Sequence, residues 1–402
     1  MMRKSALIII LFTFRLVSGQ QDPDALLHAK ALMEVSNYDS AMHYIEIAAA
    51  GDPESVDVLF NRGICFFHLK QFNQAREDFL VVNRKRRNMA SLMLAKTEAH
   101  LNRPELAVKY LKEHLGSYYK LPEKDILLDK DLALIESSGA WIALWREQEW
   151  YSPYDKELQE IAHLRDGGDQ LEAINRLRAL DKKGIKKSVV NQQLAELYHT
   201  SGNNRAALDA IDKSVDADSR NMEALKLRIE LLVEEGEFED AAQDCKRLLR
   251  QAPDAFDYYL VTGKVHSQLG EYNAAVSYVN KYLELYPRSH TALNELGEIH
   301  FTAGKYLDAL SMFNKALEIE DGSGTYYYNR GRTYAATRTF RYAEKDFSMA
   351  LDLDPLNADI WFAKGKTDLE LGNSDTACFD FRNALRYGKY EAREYIDRHC
   401  SK

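Results

Sequence analysis

Residues 324–357 read GTYYYNRGRTYAATRTFRYAEKDFSMALDLDPLN, and residues 358–388 read ADIWFAKGKTDLELGNSDTACFDFRNALRYG. Laid over each other at a step of 34, they put Gly331 on Gly365, Ala343 on Ala377, Phe347 on Phe381 and Ala350 on Ala384. The step continues outside these segments. Ala173, Ala207, Ala241, Ala275, Ala309, Ala343 and Ala377 all keep it. Glycines follow in two series, at 263, 297, 331 and 365 and at 202, 236, 270, 304 and 372. Phe313, Phe347 and Phe381 form a third, and Pro253, Pro287 and Pro355 close three of the units.

Each recurring residue type has a physical task. Small residues on two helices let their backbones approach, and the large apolar residue one turn after each Ala fills the space beside it. A Gly between helices suits a left-handed cap. A Pro ends the unit because it cannot continue a helix interior. The unit is therefore helix, tight turn, helix, short turn. Such a hairpin cannot bury its apolar face alone. Stacking creates a continuous core and winds a superhelix with a concave inner surface.

This pattern resembles the tetratricopeptide repeat family. Gly331, Tyr334, Ala343, Phe347, Ala350 and Pro355 match it, and Trp361, Gly365, Ala377, Phe381 and Ala384 match it again. The expected fold is all-α: an α-solenoid of stacked helix-turn-helix repeats with a C-terminal capping helix. Seven repeats are expected over 154–388. Ala41, Ala75 and Ala107, with Asn61-Arg62-Gly63 repeating Asn329-Arg330-Gly331, place three more over 22–117. A degenerate Trp-rich hairpin is expected over 118–153. After the break at Gly388, a capping helix and tail occupy 389–402, with Tyr390, Arg393 and Glu394 covering the last hairpin.

Composition narrows the function classes. The 402 residues are 46% hydrophobic and 29% charged, with 8 Pro, 20 Gly and 4 Cys. These values exclude collagen-like, Pro/Gly-rich disordered and disulfide-knotted chains. A net charge of −9 argues against a general nucleic-acid binder, which needs a basic face. Arg3 and Lys4 precede an apolar run from Ala6 to Phe14 and then Val17-Ser18-Gly19. That order predicts a secretory signal over 1–19, because the run is short for a membrane span of ~20 residues. Losing Arg3, Lys4 and Arg15 would take the charge from −9 to −12.

Enzyme motifs are absent: there is no His-Glu-x-x-His, Gly-x-Ser-x-Gly or Cys-x-x-Cys. Gly365-Lys366-Thr367 lacks the earlier Gly of a phosphate loop, since Ile360 stands there. His266 and His300 share one repeat position, but no third ligand has suitable spacing, so neither metal nor cofactor is expected. Cys378 lies ten residues before Gly388 and Cys400 twelve after it. On antiparallel helices their heights agree within about 3 Å. A disulfide stapling the cap is expected, with two free buried thiols as the alternative. Cys65 and Cys245 read as core residues. Trp141, Trp145 and Trp150 read as filling of an irregular segment, with a partner anchor as the alternative.

The resemblance implies that the first helix of each unit lines the groove. Unit by unit its inner residues would be Gln192 and Glu196; Lys226 and Glu230; Lys264 and Gln268; Asn294 and Glu298; Tyr328, Asn329 and Arg332; and Phe362 and Lys366. The binding set is expected among Lys264, Asn294, Glu298, Tyr328, Asn329, Arg332, Phe362 and Lys366. The carboxylate clamp of cytosolic co-chaperones in this family is missing. Asn329 matches its middle Asn, but Asn294, Glu298, Asp359 and Ala363 stand where its other residues belong. The resemblance thus implies a non-enzymatic exported scaffold or adaptor that binds a protein or peptide segment in its concave groove for envelope assembly, in the periplasm or outer envelope or, second, secreted. The alternative is a glycan or small-molecule binder using Tyr328, Arg332, Phe362 and Lys366.

Overall fold

The computed structural model describes residues 24–147 and 149–400; the expected signal over 1–19 and the last two residues of the tail lie outside them. No strand occurs among the described residues. The chain divides into two units, one ending at Ser152 and one beginning at Pro153.

The N-terminal unit contains α1 (Ala25–Glu34), α2 (Tyr38–Gly51), α3 (Val56–His68), α4 (Phe72–Lys85), α5 (Ser91–His100) and α6 (Pro104–Leu115). These pair as three hairpins. They are followed by α7 (Glu123–Leu127), a 3-10 turn at Ala133–Ile135 and α8 (Gly139–Glu147). Over 118–138 the first arm of a hairpin is therefore only a short helix and a turn. Trp141 and Trp145 meet edge to face with centroids 5.7 Å apart, and Trp150 Nε1 donates to the Leu144 carbonyl at 2.9 Å. All three pack into this unit's core with Ile126, Leu132, Leu144 and Tyr151. The aromatics fill volume that a regular helix would otherwise occupy.

The C-terminal unit begins with α9 (Pro153–Asp166), α10 (Gln170–Lys182), α11 (Lys187–Thr200) and α12 (Asn204–Ala217). It continues through α13 (Met222–Glu235), α14 (Phe238–Gln251), α15 (Asp257–Gln268) and α16 (Tyr272–Leu285). Then come α17 (His290–Thr302), α18 (Tyr306–Ile319), α19 (Gly324–Ala336) and α20 (Phe340–Leu353). The last three are α21 (Ala358–Glu370), α22 (Ser374–Arg386) and α23 (Ala392–His399). Side-chain oxygens of Asn203, Asn221, Ser289 and Asn357 accept backbone N–H groups in the first turns they precede, which fixes where those helices start.

The ten periodic alanines, from Ala41 to Ala377, are all fully buried. Each is the fourth residue of a hairpin's second helix, where the two backbones come closest. Gly63, Gly297, Gly331 and Gly365 of the first helices face second-helix phenylalanine rings, and Gly263 faces Val279. A Cβ on Gly331 would lie 2.8 Å from the Phe347 ring, and one on Gly297 would lie 2.5 Å from Phe313. The large residue thus packs across the hairpin, onto bare backbone.

A second period, unnoticed in the sequence, braces the hairpins. Arg62 holds Asp78 through two bonds of 2.8 and 2.7 Å, Arg228 holds Asp244 through two of 2.6 Å, and Arg330 holds Asp346 through two of 2.7 and 2.8 Å. Lys364 takes the same place opposite Asp380, at 3.0 Å, and also reaches Asp368 at 2.8 Å. Each acid is buried, so the fork geometry of Arg satisfies both carboxylate oxygens out of water.

In the C-terminal unit, first helices touch the first helices of the next hairpin at α11–α13, α15–α17, α17–α19 and α19–α21, and second helices show no comparable contact among the described residues of this unit. The first helices therefore crowd together on the inner side of this unit's stack. The turn inside each hairpin brings the chain through a left-handed residue. Gly304 does so at φ +73°, but one step later Arg338 does it at φ +57°. Glycine there avoids the steric cost of a Cβ. Arg338→Gly is expected to stabilise the fold by about 1 kcal/mol. A rise in the melting temperature checks this, and an unchanged or lower value contradicts it.

The cap differs in detail from its expected form. Its helix starts at Ala392, and Tyr390 stands 81% exposed. Ala392, Tyr395, Ile396 and Cys400 cover the last hairpin instead, packing against Trp361, Phe362 and Phe381. The reason is register: Lys389 to Glu391 form the turn out of α22, so the covering face begins only with the helix. The sulfurs of Cys378 and Cys400 lie 2.07 Å apart. Cys65 and Cys245 are buried within α3 and α14.

Candidate functional site

At the C-terminal end of the inner face, α19 and α21 flank a cleft of about 590 Å³. Four of the expected residues come together here: Tyr328 and Arg332 from α19, and Phe362 and Lys366 from α21. Their 34-residue relation puts Tyr328 and Phe362 at the same height on neighbouring helices, and Arg332 and Lys366 one turn further on. The helices carry them there because glycines 331 and 365 and their phenylalanines fix how each hairpin closes.

Three further contributors come from outside the inner rows. Phe301 lies in the last turn of α17, Arg338 in the turn after α19, and Lys389 in the turn before the cap. The Arg332 guanidinium sits 4.6 Å from the Phe301 ring centroid and 5.5 Å from that of Tyr328. Lys366 and Lys389 place their ammonium groups 5.5 and 5.8 Å from the Phe362 centroid. The cleft is thus an aromatic floor with cations laid over it, an arrangement in which ring faces and positive charge attract. Tyr395 of the cap meets the Phe362 ring edge to face at 5.2 Å and so holds the floor in place.

Asp359 and Glu370 supply the negative charge in this lining. Lys389 bonds Asp359 at 2.9 Å and Glu391 at 3.3 Å. Arg332 reaches Glu298 at 3.4 Å. Burial pushes the Glu298 carboxyl above its usual range against the pull of Arg332, and its Oε1 has no hydrogen-bond partner among the described residues. Burial also raises the Tyr328 hydroxyl, which stays protonated at neutral pH and can donate.

The other expected residues have different places. Asn329 is buried, and its Nδ2 donates to the half-buried Asn294 Oδ1 at 3.1 Å, which ties α19 to α17. Glu298 lies behind the cleft as the partner of Arg332. Lys264 is exposed on α15 and lies outside the cleft lining, with its charge directed toward Glu295. His266 stacks on Tyr278 and bonds Glu271 at 2.6 Å, and the buried Nδ1 of His300 has no hydrogen-bond partner among the described residues. Among the described residues no group of three or more His, Cys, Asp or Glu could hold a metal ion, and no helix is long and apolar enough to cross a membrane.

Stacked two-helix hairpins with an open, aromatic inner cleft define a helical-repeat scaffold. The family model for the tetratricopeptide repeat matches residues 26–83, 193–256 and 260–324. Those three stretches, less than half of the chain, therefore carry tetratricopeptide repeats, which in general serve as non-catalytic scaffolds for binding proteins or peptides. No curated protein matches the sequence. Among solved structures, a tetratricopeptide repeat protein from Parabacteroides merdae shares 22% identity at a TM-score of 0.54, covering 62% of this chain and 99% of that one. The anaphase-promoting complex hetero-tetramer Cut9-Hcn1 shares 17% identity at a TM-score of 0.50, covering 94% of this chain and 83% of that one. Both are likenesses of fold.

Proposed function

We propose that the chain is a non-enzymatic scaffold that holds a protein or peptide segment in the inner cleft of its C-terminal unit. The observation that carries this reading is the convergence of Phe301, Tyr328 and Phe362 under Arg332 and Lys366. Aromatic area with a few fixed polar groups is what a peptide side chain and its flanking backbone need. Panning a random peptide library on the full chain, beside an Arg332→Glu, Lys366→Glu variant, tests it. The wild type enriches sequences that the variant does not. Equal enrichment by both defeats the assignment.

The setting we propose is outside the cytosol, in the bacterial envelope. Two features support it: the signal-like order of residues 1–19 and the closeness of Cys378 and Cys400. An oxidising compartment permits a bond between these two. Burial pushes the thiols of Cys65 and Cys245 up to about 12 and about 11, which keeps them protonated in the fold. Unreduced protein is expected to show two reactive thiols once denatured. Four would remove both the bond and its support for export.

A further inference from the structure

Resting on the reading of this cleft as a peptide site, we infer that its occupant is an acidic segment. An apolar or aromatic side chain of that segment sits against Phe301, Tyr328 and Phe362, with carboxylates on either side. The lining carries four cations, Arg332, Arg338, Lys366 and Lys389, and two carboxylates, Asp359 and Glu370. This excess of positive charge stands in a chain whose net charge is −9.

The cations differ in how far they are already compensated. Lys389 holds Asp359 and Glu391, and Arg332 shares its charge with Glu298. Arg338 and Lys366 are exposed, and neither has a carboxylate partner among the described residues. They come from a turn and from a helix, so they reach the cleft from different directions and can meet more than one carboxylate. A basic segment would approach the two uncompensated cations, Arg338 and Lys366, and the carboxylate nearest to helping it, Asp359, is held by Lys389. A neutral segment would gain the aromatic contact but leave the two rim cations unmatched. Charge complementarity of this kind selects the partner and speeds its approach, and it weakens with salt. Glu370, one turn after Lys366, opposes an acidic ligand and so tunes the affinity downward.

Three synthetic peptides with the same central Leu-Phe pair test the inference by fluorescence anisotropy on the full chain. One carries Asp and Glu on both sides, one carries Asn and Gln, and one carries Lys. The acidic peptide is expected to bind most tightly. Its affinity falls about tenfold or more in an Arg338→Glu, Lys366→Glu variant, since a charged hydrogen bond contributes roughly that factor. It falls likewise when the salt concentration is raised, and it improves in Glu370→Gln. Both reversed positions are exposed, and the salt titration needs no variant, so a folding defect cannot hide the answer. If the amide or basic peptide binds as well as the acidic one, and Phe362→Ala abolishes that binding, the inference fails while the peptide site stands. If no peptide binds here and the library yields none, both fail.

Discussion

Methionine in place of Lys364 is expected to lower the stability of the C-terminal unit by about 3–5 kcal/mol, the cost of stranding a buried charge. Lys364 is 8% exposed, and the acids it joins, Asp368 and Asp380, are both 1% exposed. Its ammonium group lies 2.8 Å from one and 3.0 Å from the other. Asn373 also donates to Asp368, at 3.2 Å, but an amide does not cancel a charge. Without the cation two carboxylates face each other out of water. Burial already pushes Asp380 up to about 7, with Lys364 pulling the other way. The variant loses that pull, so folded Asp380 binds its proton more tightly still than the unfolded residue does. Its deficit is therefore smallest at low pH and grows as pH rises from the unfolded value near 4 through neutrality. Urea unfolding at pH 5 and pH 8, followed by circular dichroism, measures both effects. A second variant, Lys364→Met with Asp380→Leu and Asp368→Asn, removes the stranded charges and recovers most of the loss. A single variant with unchanged stability at pH 8 would show that the triad is solvated.

The second large effect concerns the ring packed on bare backbone. Phe313→Ala is expected to cost about 3–5 kcal/mol, because Phe313 is fully buried and its removal leaves a void inside one hairpin. Gly297→Ala alone costs about 1–3 kcal/mol, since the new methyl carbon would stand 2.5 Å from the ring. Combined, the two changes are expected to be less harmful than their separate costs imply. The added methyl enters the space the ring vacated, and alanine favours the helix by about 1 kcal/mol over glycine. Additive losses in this cycle would mean that the ring and the glycine do not press on each other.

Much of this fold is legible in the letters, for a definite reason. Alanine and glycine at a fixed step mark backbone contacts, and such contacts tolerate few residue types. The Arg–Asp braces escaped notice because a pair sixteen residues apart shows no helical or strand period; it spans two helices, and Lys364 replaces Arg at one of its places. The segment 118–138 was illegible because its core is set by three tryptophans rather than by a repeat. In the cleft, the family resemblance named Tyr328, Arg332, Phe362 and Lys366 as inner residues of first helices, and these four sit mid-helix in its lining. It could not find Phe301, since Ser267, Ala335 and Leu369 hold the same place elsewhere. Lys389 and Arg338 lie in turns, where side-chain direction depends on the neighbouring hairpin. The step also overstated Asn329, whose match to a known pattern concealed its bond to Asn294.

The clasp at Cys378 and Cys400 has a consequence for turnover of the chain. A stack in which each hairpin leans only on its neighbours loosens from its ends, and a protease seizes whatever end loosens first. With the bond proposed between Cys378 and Cys400 the last helix would be tethered to α22, and digestion from that side would meet a covalent loop rather than a free thread.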